Sequence, residues 1–247
     1  MSDVVTGIKQ LPVKPTVRIV MSKDRTPQSY IALFKAIHSV ADIMAQPVDS
    51  FDLQSYSVDQ YRQRFETSYQ YLSQYTSIWE IGNEINSDWI REDPNQITEK
   101  IAAAYRLIKN KHGIAALTPY YFPPNEGTLP MEDWLKKYIP DDMKQDLDYV
   151  LVSYYEDDND GYQPHWKQIF TRLETLFPHA KLGIGECGNT SDNATPVSKS
   201  AMFRRYYSMP RYTSRYIGGY FWWYWVQDSI TYKNNTLWQE TANSMRR

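Results

Sequence analysis

The sequence predicts an α/β fold of parallel strands, either a doubly wound sheet or a closed (β/α)8 barrel, and it favours the barrel. Seven strand patterns alternate with seven helix patterns, and that alternation places helices outside a parallel sheet. No glycine-rich phosphate loop follows a strand, and polar residues collect at strand ends, as in barrel enzymes. Because only seven units are evident, the first strand is short, missing or atypical, or it lies within residues 1–12.

Each predicted strand is a short run rich in β-branched and aromatic residues. In order, the runs are TVRIVMS (16–22), DIMAQPVD (42–49), SIWEIGNE (77–84), IAALTPYY (114–121), DYVLVSYY (148–155), KLGIGECG (181–188) and GGYFWWYW (218–225). Because parallel strands are joined by crossover connections of about a dozen residues or more, usually helices, each run should be followed by a helix packed on the sheet.

Each predicted helix is a longer run with apolar residues three and four positions apart. In order, the runs cover residues 26–40, 57–75, 95–113, 131–139, 165–177, 198–208 and 236–245. Thr26 and Pro27 mark the start of the first, and Gly113 marks the end of the third. No glycine- or serine-rich linker divides the chain, so we expect one domain over residues 1–247.

Composition excludes several classes of function. The formal charge of -2 leaves no basic footprint for nucleic acid, and no apolar run approaches the ~18 residues of a membrane span. The single cysteine, Cys187, allows no internal disulfide, and zinc-type spacing is absent, so we expect no metal and no cofactor. We expect a monomer. The start lacks an apolar signal segment, and the compartment stays open: secretion or a periplasmic location is possible if the N-terminus was trimmed, and a cytoplasmic location is expected otherwise.

Two predicted strands end in carboxylates. Asn83 and Glu84 end the third run, and Glu186 lies near the end of the sixth. Since side chains alternate along a strand, we expect Glu80, Gly82 and Glu84 to share one face, and Glu186 to share a face with the apolar residues at 182 and 184. We expect Glu80 to be structural and paired with Arg18 or a tyrosine.

A pair of carboxyl groups on opposite walls suits the cleavage of a glycosidic bond. One acid protonates the leaving oxygen, and the other attacks the anomeric carbon or activates water. Burial among aromatic residues can raise the pKa of the acid, and hydrogen-bond donors keep the nucleophile ionised. The amide of Asn83 can hold a sugar hydroxyl. The 21 Tyr and 8 Trp residues also suit the flat faces of sugars.

At these residues the chain resembles the clan of retaining glycoside hydrolases built on (β/α)8 barrels, which includes many cellulases, mannanases and β-galactosidases. That clan carries an Asn-Glu pair at the end of its fourth strand and a second Glu at the end of its seventh. Here WEIGNE (79–84) and IGECG (184–188) match. The chain departs from the pattern at Ile85, where many members have proline, and at Ser153, where several have histidine. The family within the clan is not assigned.

The resemblance implies roles for individual residues. Glu84 would be the acid/base and Glu186 the nucleophile, with Arg18 and Tyr155 as donors to the nucleophile. Trp225 or Trp223 would floor the subsite for the cleaved sugar, and Trp225 is preferred. The expected substrate is a β-linked oligo- or polysaccharide, and three long connections, one of them at 122–130, suggest an extended groove for it.

Two alternatives stay open at the level of sequence. A catalytically degenerate barrel could bind carbohydrate or serve a structural role. A transglycosylase would use the same two glutamates with a sugar acceptor in place of water. Cys187 is expected to be a small buried residue, because none of the histidines falls where a thiol nucleophile would need its partner.

Overall fold

The computed structural model describes residues 1–124, 129–218 and 220–246, so part of the predicted groove connection at 122–130 lies outside the described residues. Within them, one parallel sheet runs in the order β1 to β7. Its strands are β1 (Thr16–Val20), β2 (Asp42–Gln46), β3 (Ile78–Asn83), β4 (Ile114–Thr118), β5 (Tyr149–Ser153), β6 (Lys181–Glu186) and β7 (Tyr216–Gly218). The helices are α1 (Ser2–Lys9), α2 (Ile31–His38), α3 (Val58–Leu72), α4 (Pro94–Asn110), α5 (Met131–Tyr138), α6 (Asp141–Asp146), α7 (Trp166–Leu176), α8 (Pro196–Tyr207), α9 (Trp225–Ser229) and α10 (Thr236–Ser244).

The sheet is curled like the wall of a barrel. Arg18 on β1 contacts Glu186 at the end of β6. In a flat sheet, five strand spacings would separate these strands by about 24 Å, which is beyond the reach of an arginine side chain. The curled sheet with helices between its strands confirms the predicted barrel-like class, with seven strands among the described residues.

Apolar residues pack on both sides of this sheet. Met44, Ala116 and Leu151 form a small cluster inside the curl, on the face that also carries Arg18. A much larger core fills the space between the sheet and the helices, and it includes Trp79 and Phe170. The interior cluster is small because polar side chains take up much of the inner face: Arg18 and Thr118 both donate to Glu80 there.

Side-chain caps fix where several outer helices begin. Ser57 and Gln60 form a reciprocal capping box at the start of α3, and Asp93 caps α4 just before its first residue, Pro94. Thr195 caps α8 in the same way as Ser57 caps α3. These caps satisfy backbone N–H groups at the helix starts, so the preceding loops leave the sheet at fixed positions.

Residues 1–12 do not supply a first strand. They form α1, whose Gly7 carbonyl accepts a hydrogen bond of 2.9 Å from the indole of Trp238 on α10. Within the described residues, β1 and β7 are therefore the two edges of the sheet. A cavity of about 320 Å³ lies beside β1 and the C-terminal segment, with Val17 and Trp222 among its lining residues.

The last strand is displaced from the predicted run 218–225. Hydrogen-bonded strand structure covers Tyr216–Gly218, and a further single bridge joins Trp222 to Cys187. Position 219 lies outside the described residues. The aromatic run favours strand by propensity, but Tyr224 adopts a left-handed backbone with φ 62°, and α9 begins at the next residue. The prediction of strand up to Trp225 is therefore wrong.

The close approach of β6 to β7 requires glycine at position 183. We therefore expect the Gly183→Ala variant to have a much lower Tm than the wild type. A Cβ at this position would lie 2.0 Å from the carbonyl oxygen of Gly218, which is backbone and cannot swing away. We expect a loss of more than about 3 kcal/mol, or about 10 °C in Tm for a chain of this size, measured by thermal denaturation.

Gly161→Ala is the matched control, because nothing lies within 4 Å of a Cβ there. Its left-handed φ of 76° should cost only about 1 kcal/mol. Equal losses in the two variants would show that the β6–β7 contact is not as tight as described.

Candidate active site

A β-bulge in β3 decides which residues reach the interior of the sheet. Glu80 pairs with Ala116 and Gly82 pairs with Leu117, so Ile81 is an extra residue against β4. The prediction that Gly82 shares the face of Glu80 and Glu84 is therefore wrong: a Cβ on Gly82 would meet Ile101 of α4, on the outside. The bulge turns Asn83 inward in its place, toward the side chains that surround Glu80.

Glu84 follows directly after the strand in a left-handed conformation. Its φ is 49°, an uncommon value for a residue with a side chain. Its backbone N–H still donates to the carbonyl oxygen of Thr118 on β4, so the residue stays attached to the sheet. The combination of an inward turn and an anchored backbone places the Glu84 carboxyl at the carboxyl end of the sheet.

A second bulge, in β6, turns Glu186 inward. Ile184 pairs with Val152 and Glu186 pairs with Ser153, so Gly185 is the extra residue. Ile184 belongs to the outer core with the helices, whereas the Glu186 carboxylate meets groups inside the curl. The expectation that Glu186 shares a face with residues 182 and 184 is wrong for the same reason as in β3: one additional residue reverses the alternation.

Arg18 lies at the centre of the polar network inside the sheet. Its Nε donates to Glu80 Oε2 at 2.6 Å, and its Nη2 donates to Glu80 Oε1 at 2.9 Å and to Asn83 Oδ1 at 2.8 Å. Its Nη1 donates to Glu186. Burial disfavours the charged guanidinium, but the carboxylates of Glu80 and Glu186 outweigh it, and the pKa of Arg18 lies above its usual value. The expected pairing of Glu80 with an arginine is confirmed.

Glu186 accepts a second hydrogen bond at its other oxygen. The Tyr155 hydroxyl donates to Oε1 at 2.7 Å. Burial, and then the negative charge of Glu186, raise the pKa of Tyr155 well above its usual value, so the phenol keeps its proton and remains a donor. Each oxygen of Glu186 thus faces a donor, an environment that suits a carboxylate nucleophile.

Glu84 has a different environment. It is 5% exposed, and its two oxygens meet hydroxyl groups: Ser153 donates to Oε1 at 2.7 Å and Ser50 donates to Oε2 at 3.0 Å. Burial, and then the negative charge of Glu186, raise the pKa of Glu84 to about 8. Glu84 therefore holds a proton at neutral pH, as a general acid must.

The two carboxyl groups face the same compartment. Ser153 pairs with Glu186 in the β5–β6 register, and its hydroxyl reaches Glu84. Sequence reasoning missed both serine partners of Glu84. Ser153 carried a signal, since it stands at the strand end where the resemblance expects histidine. Ser50 carried none, because it lies in the turn after β2, far from either glutamate in sequence.

The two predicted tryptophans lie in different places. Trp223 packs against an aromatic cluster formed by Tyr120, Phe122 and Tyr155, next to Glu186. Trp225 begins α9, and its indole N–H donates to Thr241 of α10 at 3.1 Å. The structure thus places Trp223, and not the preferred Trp225, in the cluster with Tyr155, which contacts Glu186. Trp225 lies elsewhere because the chain turns away at residue 224.

Other functional chemistry is limited in the described part of the chain. There, no three histidine, cysteine, aspartate or glutamate residues lie together in a way that could hold a metal ion. Cys187 is buried, and burial raises the pKa of its thiol well above the usual value. Across the same residues, no helix is both long enough and apolar enough to cross a membrane.

Solved structures with this architecture are known, although no protein-family model and no curated protein matches the chain. A glucosidase from Croceicoccus marinus superimposes with a TM-score of 0.62 at 13% identity, over 99% of this chain and 63% of that one. Saccharomyces cerevisiae Gas2p in complex with laminaritriose and laminaritetraose gives a TM-score of 0.57 at 11% identity, over 100% of this chain and 59% of that one. The fold is that of barrel glycosidases.

A β-glucosidase from Thermotoga maritima in complex with noeuromycin also matches this glycosidase-type barrel, with a TM-score of 0.56 at 14% identity. It covers 90% of this chain and 76% of that one. The chain spans about three fifths of the length of the Croceicoccus and yeast proteins. Identities this low establish the shared fold, and the function has to be argued from the site itself.

The raised pKa of Glu84 predicts a pH-dependent stability. Its folded pKa of about 8 exceeds the ordinary value of 4.5, so the stabilising effect of the neutral carboxyl is complete below about pH 4.5. This contribution is lost as the pH rises through about 8. Glu84→Gln keeps a neutral side chain at every pH, so its Tm relative to wild type should rise between about pH 5 and pH 9.

Glu99→Gln is the matched control, because Glu99 is exposed on α4 and should leave the pH profile of Tm as it is in the wild type. If Glu84→Gln and Glu99→Gln follow the wild-type profile equally, Glu84 is not held in its neutral form.

Proposed function

We propose that the chain is a retaining β-glycoside hydrolase, with Glu84 as acid/base and Glu186 as nucleophile. The observation that carries the proposal is the contrast between the two carboxyl groups. Among the described residues, the hydrogen-bond partners of the Glu84 carboxyl are two hydroxyl groups, and its pKa is raised to about 8, whereas Glu186 is held between Arg18 and Tyr155. Two nearby titratable groups in opposite environments mark an acid and its partner.

In the first step, a Glu186 oxygen forms a bond to the anomeric carbon while the bond to the leaving oxygen breaks. The leaving oxygen takes the proton of Glu84, and the sugar remains covalently attached to Glu186. In the second step, water attacks the same carbon, gives its proton to the Glu84 carboxylate and displaces Glu186. The sugar leaves with its original β configuration, and both glutamates return to their starting states.

Neighbouring groups support this sequence of steps. Arg18 donates to the carbonyl oxygen of Asn83, which fixes the amide so that its NH2 group is the donor available to a sugar hydroxyl. A bond from that group to the 2-hydroxyl would strengthen as positive charge develops on the ring. We assign the sugar platform to Trp223, because it packs beside Tyr155.

The rival function is carbohydrate binding on a barrel without turnover. A binding protein would gain nothing from a deeply buried carboxyl whose pKa is raised to about 8. The substrate class to test first is β-linked glucose oligosaccharides and aryl β-glucosides. We choose it because similar structures are a glucosidase, a β-glucosidase and a yeast protein bound to laminari-oligosaccharides.

Proton NMR of the first product tests the stereochemical outcome. With laminaripentaose or an aryl β-glucoside, the β-anomer of the new reducing end should appear first, and the α-anomer should follow only by mutarotation. An α-anomer formed first would indicate inversion, and absence of turnover across a panel of β-glucosides that the protein binds would favour the binding role.

Azide rescue tests the two roles separately. Glu186→Ala should lower kcat for an aryl β-glucoside about a thousandfold or more, because no covalent intermediate can form. Azide entering the vacated space should restore turnover and give the α-glucosyl azide. Glu84→Ala with azide should give the β-glucosyl azide, since azide then attacks the intermediate on Glu186.

Glu99→Ala, which removes an exposed carboxylate on α4, should leave kcat and the product unchanged. Identical azide products from Glu84→Ala and Glu186→Ala would show that the two roles are assigned wrongly.

A further inference from the structure

A stacked aromatic pair stands at the surface beside Glu84. Phe51, in the turn after β2, is 70% exposed, although it is a large apolar side chain. Its ring stacks on Trp89, in the loop after β3, with centroids 5.9 Å apart and planes 18° from parallel. The pair therefore presents a flat apolar surface to solvent at the carboxyl end of the sheet.

The turn that carries Phe51 is fixed in place. The Asp49 carboxylate accepts a hydrogen bond of 3.1 Å from the backbone N–H of Phe51. Trp89 is held from the other side, where its ring meets Tyr120 edge-on with centroids 5.1 Å apart. The backbone of Phe51 and the ring of Trp89 are therefore already ordered before a ligand binds, so binding costs little side-chain entropy.

Hydrogen bonds connect this pair to the proposed acid. The indole N–H of Trp89 donates to the Ser50 hydroxyl at 3.3 Å, and that hydroxyl donates to Glu84 Oε2 at 3.0 Å. Ser50 also immediately precedes Phe51 in the chain. A single hydroxyl group thus separates the aromatic pair from the carboxyl whose proton goes to the leaving oxygen.

The aromatic surface is continuous across the site. Tyr120 belongs to the cluster that contains Tyr155 and contacts Trp223, and Tyr155 holds Glu186. Rings therefore extend from the nucleophile, through Tyr120 and Trp89, to Phe51 beyond the acid. A sugar chain cleaved at Glu186 would place its departing part on the Glu84 side, over Trp89 and Phe51.

We propose that Phe51 and Trp89 form the subsite for the leaving-group sugar, with the face of a pyranose ring stacked on Phe51. The inference rests on the proposed function and adds a specificity-determining surface to it. Carbohydrate fits this surface because a pyranose presents apolar C–H groups on its face and hydroxyls at its edge.

A comparison of two substrates distinguishes an effect on the leaving-group subsite from an effect on bond cleavage. Laminaripentaose has a sugar as its leaving group, whereas β-D-glucosyl fluoride has only fluoride. We expect Phe51→Ala to lower the ratio of kcat/KM for laminaripentaose to kcat/KM for the fluoride about tenfold, as loss of one stacked ring implies. Phe51→Tyr should restore the ratio. Phe51→Leu should not, because it keeps apolar bulk without a flat ring.

Val197→Ala is the matched control, since it trims an exposed apolar residue at the start of α8 and should leave the ratio unchanged. An unchanged ratio in Phe51→Ala, with both substrates turned over, overturns the subsite and leaves the proposed function standing. If the wild type cleaves neither laminaripentaose nor the fluoride, the proposed function is overturned instead.

Binding to the Glu186→Ala variant then tests the subsite without turnover. The Kd for laminaripentaose, followed by tryptophan fluorescence, should rise about tenfold when Phe51→Ala is added. An equal Kd in the two variants overturns the subsite.

Discussion

The buried charge of Arg18 is the constraint on which the rest of the site depends. A guanidinium inside a sheet is tolerated only where carboxylates and amide oxygens surround it, and Glu80, Asn83 and Glu186 supply them. These partners come from β3 and β6, so the sheet has to curl for β1 to reach both. Burial, and then the negative charge of Glu186, raise the pKa of Glu84 to about 8, while the charge of Arg18 opposes that rise. The Glu186 carboxylate that pairs with Arg18 therefore also helps to keep Glu84 protonated.

Much of the fold could be predicted because it rests on local patterns, whereas the inner face could not. Alternating strand and helix patterns, Asn83 and Glu84 at one strand end and Glu186 at another are visible in sequence. The bulges at Ile81 and Gly185 are not, because both strands remain continuous apolar runs whether or not one residue is extra. Each bulge reverses the alternation, one just before Asn83 and the other just before Glu186, so a count by twos assigns these two residues to the wrong face.

The C-terminal aromatic run illustrates a second limit of sequence. Strand propensity describes how rings pack on a pleated surface, and the run from 220 to 225 has that propensity throughout. Its path depends on tertiary contacts: Trp222 bridges Cys187, while Trp225 leaves the sheet to bond Thr241 on α10. The C-terminal helix is tied to the start of the chain by a side chain as well, since the indole of Trp238 donates to the carbonyl oxygen of Gly7.

Hydrolysis and sugar transfer share every step up to the covalent intermediate, so Glu84 and Glu186 alone cannot decide between them. The decision lies in what stands beside the intermediate when Glu84 accepts a proton. Water is abundant but unoriented, whereas a sugar held in place reacts as if at ~10⁵ M or more when its hydroxyl is aligned. A ring on Phe51 and Trp89 would hold such a hydroxyl near Glu84. Under the proposed mechanism, the residence time of the departed sugar on that aromatic pair, relative to the rate of attack by water, would set the ratio of transfer to hydrolysis.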